Sequence, residues 1–302
     1  MTDQKQAQAV SPSTRASILA EALPYIRTFR GKRILIKYGG SAMTENSLKK
    51  DFAEDVALLS FIGVKPIIVH GGGPQIGALL KKLGKESRFV KGLRVTDEET
   101  MDVVEMALVA KVNKDVVSLI NSYGGKAVGI SGRDGGLIRA RKARPAKLAG
   151  IDEDLGLVGE VERINPDLIA SLEDRGFIPV VAPVGAGPLE KPYNINADTA
   201  AGAMASALNT EKFLLLTDVP GVLDHEQRLI SSLSEEQVEQ MIETESITGG
   251  MIPKVRCCLA AIRGGVPKAH IIDGRVSHAL LLEILTDEGI GTEIVRDKAP
   301  GL

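Results

Sequence analysis

The feature that most constrains this fold is the stretch from Pro66 to Gln75, Pro-Ile-Ile-Val-His-Gly-Gly-Gly-Pro-Gln, where an apolar run stops in three glycines and a proline. Pro66, Ile67, Ile68 and Val69 show no alternation of polar and apolar positions. A strand of that kind is covered on both faces, as in a parallel sheet. Gly71, Gly72 and Gly73 lack the β-carbons that would hold a ligand off the backbone, and Pro74, with fixed φ and no N–H, suits the first position of a helix. The chain thus leaves a strand, exposes bare amides and enters a helix. Open α/β sheets bind ligands at the carboxyl ends of their strands, and amides at a helix N-terminus favour an anion.

Tight strand-to-helix packing is a rival explanation of these glycines, and three other glycine-rich chemistries fit less well. The dinucleotide fingerprint lacks its third glycine, because Gln75 or Ile76 occupies that place. A P-loop ends in Gly-Lys-Ser or Gly-Lys-Thr, whereas Gly84-Lys85-Glu86 has Leu79 where the first glycine belongs. An esterase oxyanion loop requires a Gly-x-Ser-x-Gly elbow, and Gly129-Ile130-Ser131-Gly132-Arg133 misses it by one glycine.

Composition excludes several classes. A chain of 302 residues with 44% hydrophobic content can build one large α/β domain or two smaller ones. The net charge of −2, the absence of tryptophan and an aromatic share of 3% argue against nucleic acid as a partner. No run approaches the roughly 20 apolar residues that span a bilayer, and Met-Thr-Asp-Gln-Lys-Gln lacks the apolar core of a signal peptide. No membrane partner and a cytoplasmic location are expected. Cys257 and Cys258 are adjacent within a predicted helix, with no histidine at ligand spacing, so they read as reduced core residues and no protein metal site is expected.

Residues 1–12 read as a frayed end. Ile18, Leu19, Ala22, Leu23, Ile26 and Phe29 then recur at helical spacing, with a kink at Pro24 and a stop at Gly31. This extra helix precedes the first strand, and its apolar stripe packs either on its own domain or on a neighbouring subunit. A strand over 33–38 leads into Gly39-Gly40-Ser41 and a helix over 48–62, so two glycine loops face one crevice. A helix over 74–83, a hairpin over 88–96 turning at Gly92, and a long helix capped by Asp97 and running towards Asn121 follow. Strands are expected over 126–130, 136–140, 157–161 and 177–181, a helix over 166–175, and a charged solvated rim over 139–144. The Pro, Gly and Ala of 182–192 mark the best hinge between two lobes. Beyond it come an alanine-rich helix opened by Asn194-Ile195-Asn196-Ala197-Asp198, an apolar strand over 212–217, a helix over 234–243, the glycine pair Gly249-Gly250 before another helix start, strands over 269–272 and 292–295, and a helix over 277–285. Repeated βα units of this kind predict an α/β protein with a mainly parallel, doubly covered sheet.

The strand ends gather glycine loops at Gly39, Gly71 and Gly249 with Lys37 and Lys254 beside them, and offer no convincing general base. That combination suits phosphoryl transfer, which asks for positioning and positive charge more than for covalent work.

The chain resembles the acetylglutamate kinases of the amino acid kinase family over nearly its whole length. The resemblance rests on Ile36-Lys37-Tyr38-Gly39-Gly40, His70-Gly71-Gly72-Gly73-Pro74, Gly92-Leu93-Arg94-Val95-Thr96, Asn194-Ile195-Asn196-Ala197-Asp198, Thr217-Asp218-Val219-Pro220-Gly221-Val222-Leu223 and Gly250-Met251-Ile252-Pro253-Lys254. It implies a three-layer αβα sandwich with an added N-terminal helix. Residues 1–30 would be an arm and helix, 31–185 the acceptor lobe with the dimer-forming half, and 186–302 the nucleotide lobe. The implied reaction is transfer of the ATP γ-phosphoryl group to the γ-carboxylate of N-acetyl-L-glutamate, with Mg2+ held mainly by the phosphates.

Carried onto this chain, the resemblance makes Lys37, Asp198 and Lys254 catalytic. Gly71 and Gly72 would contact acetylglutamate through backbone amides, Arg94 would pair with its α-carboxylate, and Asn194 and Asn196 would address the α-substituents. Gly39, Gly40, Asp218, Val219, Gly221, Val222, Leu223, Ser246 and Thr248 would serve ATP. Asp198 has a competing local role as N-cap of the helix that follows. Sibling kinases acting on carbamate, aspartate, glutamate or uridylate share the outer motifs, and a non-catalytic arginine sensor is the rival from another class.

In members of this type an N-terminal helix accompanies feedback inhibition by arginine and links homodimers into a homohexamer. Glu283 could take the guanidinium of L-arginine and the amides around Gly289 and Gly291 its carboxylate, with His270 at its strand end and Tyr25 completing the pocket. The competing reading makes Glu283 a solvated helix residue and the two glycines an ordinary turn.

Overall fold

The computed structural model describes residues 11–144 and 153–297; most of the expected frayed end lies outside them. The chain opens with α1 (Pro12–Glu21), α2 (Leu23–Phe29), β1 (Arg33–Tyr38), α3 (Asn46–Phe61), β2 (Lys65–His70) and α4 (Gly73–Lys82). The hairpin β3 (Phe89–Val90) and β4 (Leu93–Arg94) precedes α5 (Glu98–Glu105), which runs through a π-helical stretch, Met106–Val112, into α6 (Asn113–Ser122). Next come β5 (Ala127–Ser131), β6 (Ile138–Lys142), β7 (Val158–Ile164), α7 (Asp167–Glu173), β8 (Ile178–Ala182), β9 (Val184–Ala186) and β10 (Pro192–Ile195). The last third holds α8 (Ala197–Ala207), β11 (Lys212–Thr217), β12 (Ser232–Ser234), α9 (Glu235–Glu243), α10 (Met251–Arg263), β13 (Lys268–Asp273), α11 (Ala279–Leu285) and β14 (Thr292–Val295).

Eight strands form one sheet in the order β12-β14-β13-β11-β1-β2-β8-β5, parallel at every pairing except β13 with β14. The unalternating apolar runs of β1, β2 and β11 sit at its centre, each buried from its second residue to its last. Successive side chains feed opposite layers, as a two-residue period requires. Leu35, Ile67 and Val69 pack with Ile76, Met101, Met204 and Leu259, whereas Ile34, Ile36 and Ile68 pack with Phe52, Val56, Ile120 and Leu280.

Three differences from the sequence expectation are physical. β6, β7, β9 and β10 leave the main sheet and close a small barrel, so the strands expected over 136–140 and 157–161 belong to it. The Pro- and Gly-rich 182–192 stretch carries β9 and a 3-10 turn, and β10 pairs with both β9 and β7. The boundary expected at 185/186 falls inside β9. The N-terminal helix breaks at Ala22, two residues before Pro24, because proline gives no N–H to the preceding turn and its ring crowds that turn's carbonyl. Cys257 and Cys258 are buried and unbridged. Among the described residues no helix is long and apolar enough to cross a membrane.

Candidate functional site

Because β11, β1 and β2 are adjacent and parallel, the loops after Thr217, Tyr38 and His70 emerge side by side at one sheet end. Lys37, near the end of β1, is only 7% exposed, and its Nζ lies 2.9 Å from Asp198 Oδ1. Lys254, in the first turn of α10, approaches Asp198 Oδ2 at 3.5 Å. Burial pushes the Asp198 carboxyl up, but the two ammonium groups outweigh it and hold the group below the usual carboxylate value. One anion thus spaces two cations at a strand end. The cap role considered for Asp198 is overturned: Asn196 is the N-cap of α8, its Oδ1 accepting from Asp198 N at 2.9 Å and Thr199 N at 3.1 Å. That leaves the Asp198 carboxylate to the lysines.

A cavity of about 230 Å³ opens beside this trio, lined by Lys37 and Asp198 and by all five expected acceptor residues, Gly71, Gly72, Arg94, Asn194 and Asn196. Arg94 is buried in its wall: Nη2 donates to Gly73 O at 2.9 Å, Nη1 donates to Ser87 Oγ, and the guanidinium lies 4.6 Å from the centre of the Phe89 ring. A fork so held still has N–H groups to spare for a carboxylate. Asn194 Nδ2 donates to Thr96 Oγ1 at 3.2 Å, and that hydroxyl donates to Arg94 O at 2.7 Å. One expectation needs correction. The Gly71 amide donates to Tyr38 O at 2.8 Å, continuing the sheet ladder, so it is not offered to a ligand.

The residues expected around the nucleotide do not line that cavity. Ser41 N donates to Asp218 Oδ1 at 2.5 Å, tying the loop after β1 to the loop after β11. Gly40 has φ +70° and faces the Asp218 carboxylate, where any side chain would collide. A side chain at Gly39 would strike the Lys37 ammonium. Gly221 and Val222 are buried, and Val222 N donates to Thr292 Oγ1 at 2.8 Å, so that amide is already committed. Val219, Ser246 and Thr248 are exposed and Leu223 is half-buried.

A second cavity, of about 500 Å³, lies at the opposite end of the sheet, where β11 and β13 begin, and Tyr25, His270, Glu283, Gly289 and Gly291 all line it. The solvated reading of Glu283 is overturned. The side chain is buried, with Oε1 at 2.6 Å from His270 Nδ1 and Oε2 accepting from Ile290 N at 3.1 Å. Burial pushes its carboxyl up, but the contacts with His270, Ile290 N and Lys212 hold it below the ordinary value. His270 lies inside β13, not at its end, because that strand continues to Asp273. A hydrogen bond with Asp287 pushes the Tyr25 hydroxyl up to about 12.

Sequence reasoning missed Phe89, Leu93, Leu108 and Pro183, which supply apolar wall to the smaller cavity, and Lys212, Lys268 and Asp287 in the larger one. Phe89 and Leu93 flank Arg94 in the same hairpin and were within reach. Leu108 carries no signal, since its position depends on the π turn.

The profile of the Amino acid kinase family matches residues 32–273. The chain is 57% identical to the acetylglutamate kinase of Syntrophus aciditrophicus, covering 94% of this chain and 98% of that one. It is 52% identical to the acetylglutamate kinase of Alkalilimnicola ehrlichii, covering 98% and 100%. Among solved structures, N-acetylglutamate synthase from Neisseria gonorrhoeae complexed with coenzyme A and L-arginine superposes with a TM-score of 0.77 at 25% identity. That match covers 93% of this chain and spans 65% of the longer synthase.

Proposed function

The chain belongs to the amino acid kinase family, and from that premise we propose that it transfers the γ-phosphoryl group of ATP to the γ-carboxylate of N-acetyl-L-glutamate, a step of arginine biosynthesis. The observation that carries this reading is the convergence of the acceptor cavity on the Lys37–Asp198–Lys254 trio. A glutamyl carboxyl with a pKa of about 4.3 is already ionised at neutral pH, so no general base is needed. The barrier is repulsion between two anions, and fixed positive charge lowers it. Lys37, nearer the acceptor cavity, neutralises the phosphoryl group in flight, and Lys254 neutralises the departing ADP oxygens. Asp198 holds both ammonium groups in place. Arg94 takes the α-carboxylate, Gly72 N and the two asparagines take the remaining polar groups, and the loops at Gly39, Asp218 and Ser246 take the nucleotide. Mg2+ would arrive on the ATP phosphates and need few protein ligands.

The test is ADP release with acetylglutamate, glutamate, aspartate, carbamate and UMP as acceptors in turn. Acetylglutamate is expected to be preferred by orders of magnitude; preference for a sibling acceptor would overturn the assignment.

The larger cavity supports a second reading, inhibition by L-arginine. Glu211, Glu283, Asp287, Glu288 and Glu293 line it against Lys212, Lys268 and His270, an acidic excess suited to a guanidinium beside cations suited to a carboxylate. Arginine must then favour one arrangement of the protein over another, since equal affinity for both shifts nothing. Helix α1 has no buried residue, and its Ile18 and Leu19, with Leu23 at the start of α2, are 55%, 74% and 53% exposed, which supports packing of this arm on another subunit in a hexamer built of three dimers. Removal of residues 1–29 is expected to leave an active dimer, read by sedimentation; a truncated hexamer would contradict this.

A further inference from the structure

The mechanism uses Gly72 but leaves the buried residue before the glycines, His70, without a task. Its ring is fully enclosed, with Nδ1 at 2.8 Å from Gly71 O and Nε2 at 3.2 Å from Asn113 Nδ2. The partners fix the proton. Lys114 Nζ donates to Asn113 Oδ1 at 3.2 Å, so the Asn113 amide nitrogen faces the other way, and it donates to Val180 O at 2.9 Å and to His70 Nε2. His70 Nε2 therefore accepts, and Nδ1 carries the hydrogen that it donates to Gly71 O. Burial keeps this imidazole neutral, pushing it down to about 4.

The consequence falls on one peptide plane. Gly71 N is tied to Tyr38 O and Gly71 O to His70, so the peptide joining Gly71 to Gly72 is held at its carbonyl. In a trans peptide C=O and N–H point in opposite directions. A carbonyl turned in towards the enclosed ring turns the Gly72 N–H away from it, on the side of the acceptor cavity that Gly72 lines.

The π-helical stretch completes the arrangement. Asn113 N donates to Leu108 O, a five-residue step that sets Leu108 and Asn113 one turn apart on the same helix face. In an α-helix, at 3.6 residues per turn, that step would separate them by about 140°. With the π turn, Asn113 reaches His70 while Leu108 lines the acceptor cavity and fills the space a side chain at Gly72 would need. Gly129, across from Asn113, likewise has no room for a β-carbon.

We propose that His70 and Asn113 are a positioning pair, set by the π turn, that locks the Gly71–Gly72 peptide so that the Gly72 N–H faces the carboxylate-bearing acceptor. This rests on the acceptor reading of the smaller cavity.

Three measurements on the full chain test it. Nitrogen-15 NMR of the imidazoles should show His70 as the neutral Nδ1–H tautomer; the Nε2–H tautomer would overturn the proposal. The Gly72 amide resonance should shift downfield when acetylglutamate is added, and an unmoved resonance would also overturn it. Both need only the unmodified protein, so they stand even if a variant fails to fold. In kinetics, His70→Leu should raise KM for acetylglutamate about tenfold, the scale of one misaimed hydrogen bond, with KM for ATP within about twofold. His70→Asn, whose amide nitrogen stands where Nδ1 stood, should recover part of that loss. Equal changes in both KM values, or no recovery, would overturn the proposal. An unmodified protein that fails to phosphorylate acetylglutamate would instead overturn the acceptor reading, leaving the tautomer result intact.

Discussion

The two ends of one sheet carry opposite chemistry. At the carboxyl ends of β1 and β2 the polypeptide contributes glycine loops, and the charged side chains on the cavity are Lys37, Arg94 and Asp198, an excess of cations. At the amino ends of β11 and β13 the larger cavity carries five carboxylates against two lysines and a histidine. The first end follows from the fold, since parallel strands deliver loops and helix N-termini to that edge wherever the chain turns. The second gathers charged residues at the starts of β11 and β13, in α11 and in β14, and is completed by α2 from before the first strand and by the segment between α11 and β14. A fold can therefore dictate where anions bind, while the opposite edge of the same sheet takes its character from the side chains placed there and from an added helix that closes over them.

Substitutions can break each end separately. The largest effect is expected from Lys37→Ala, with turnover down on the order of a hundredfold or more, the scale for losing a preorganised stabiliser of transition-state charge. Lys254→Ala should act in the same direction but less, because its contact with Asp198 is longer, 3.5 Å against 2.9 Å. Steady-state kcat decides, and near-normal turnover in either variant would remove it from the mechanism. At the other end, Glu283→Gln should raise the arginine concentration for half-inhibition by on the order of thirtyfold, the range for a hydrogen bond to a charged group. Uninhibited turnover should be retained, since Glu283 touches only the far cavity. Arg94→Lys should raise KM for acetylglutamate about tenfold and spare that for ATP, one planar fork being exchanged for a point charge.

The smallest expected effect is a change that does not occur. Because the two lysines hold the Asp198 carboxyl below its ordinary value, it stays ionised as pH falls through 5. The acid limb of kcat/KM should then follow the acceptor carboxyl at about 4.3. A limb near 6.5 would instead implicate a histidine.

Legibility in the sequence divides along the same line. β1, β2 and β11 were readable because runs such as Lys-Phe-Leu-Leu-Leu-Thr have no polar alternation, and the lysines and glycines that follow them in sequence follow them in space. The small barrel was not readable as a separate unit. Its strands β9 and β10 are three and four residues long, and closure depends on pairings between residues far apart in the chain. The π turn at Met106–Val112 has an ordinary helical composition, so nothing marks the added residue that sends Leu108 to the cavity and Asn113 to His70. Glu283 was singled out for its carboxylate and placed in one pocket with His270, but their direct contact was not readable. Its tie to His270 spans two elements whose proximity only the folded sheet reveals.

The most direct test of the central claim, that the carboxyl end of the sheet transfers a phosphoryl group to a carboxylate, is to trap the product with hydroxylamine during turnover of ATP and acetylglutamate. An acyl phosphate yields a hydroxamate, so the predicted result is hydroxamate formed one for one with ADP and dependent on acetylglutamate. ADP release without hydroxamate, or hydroxamate formation undiminished in Lys37→Ala, would contradict it.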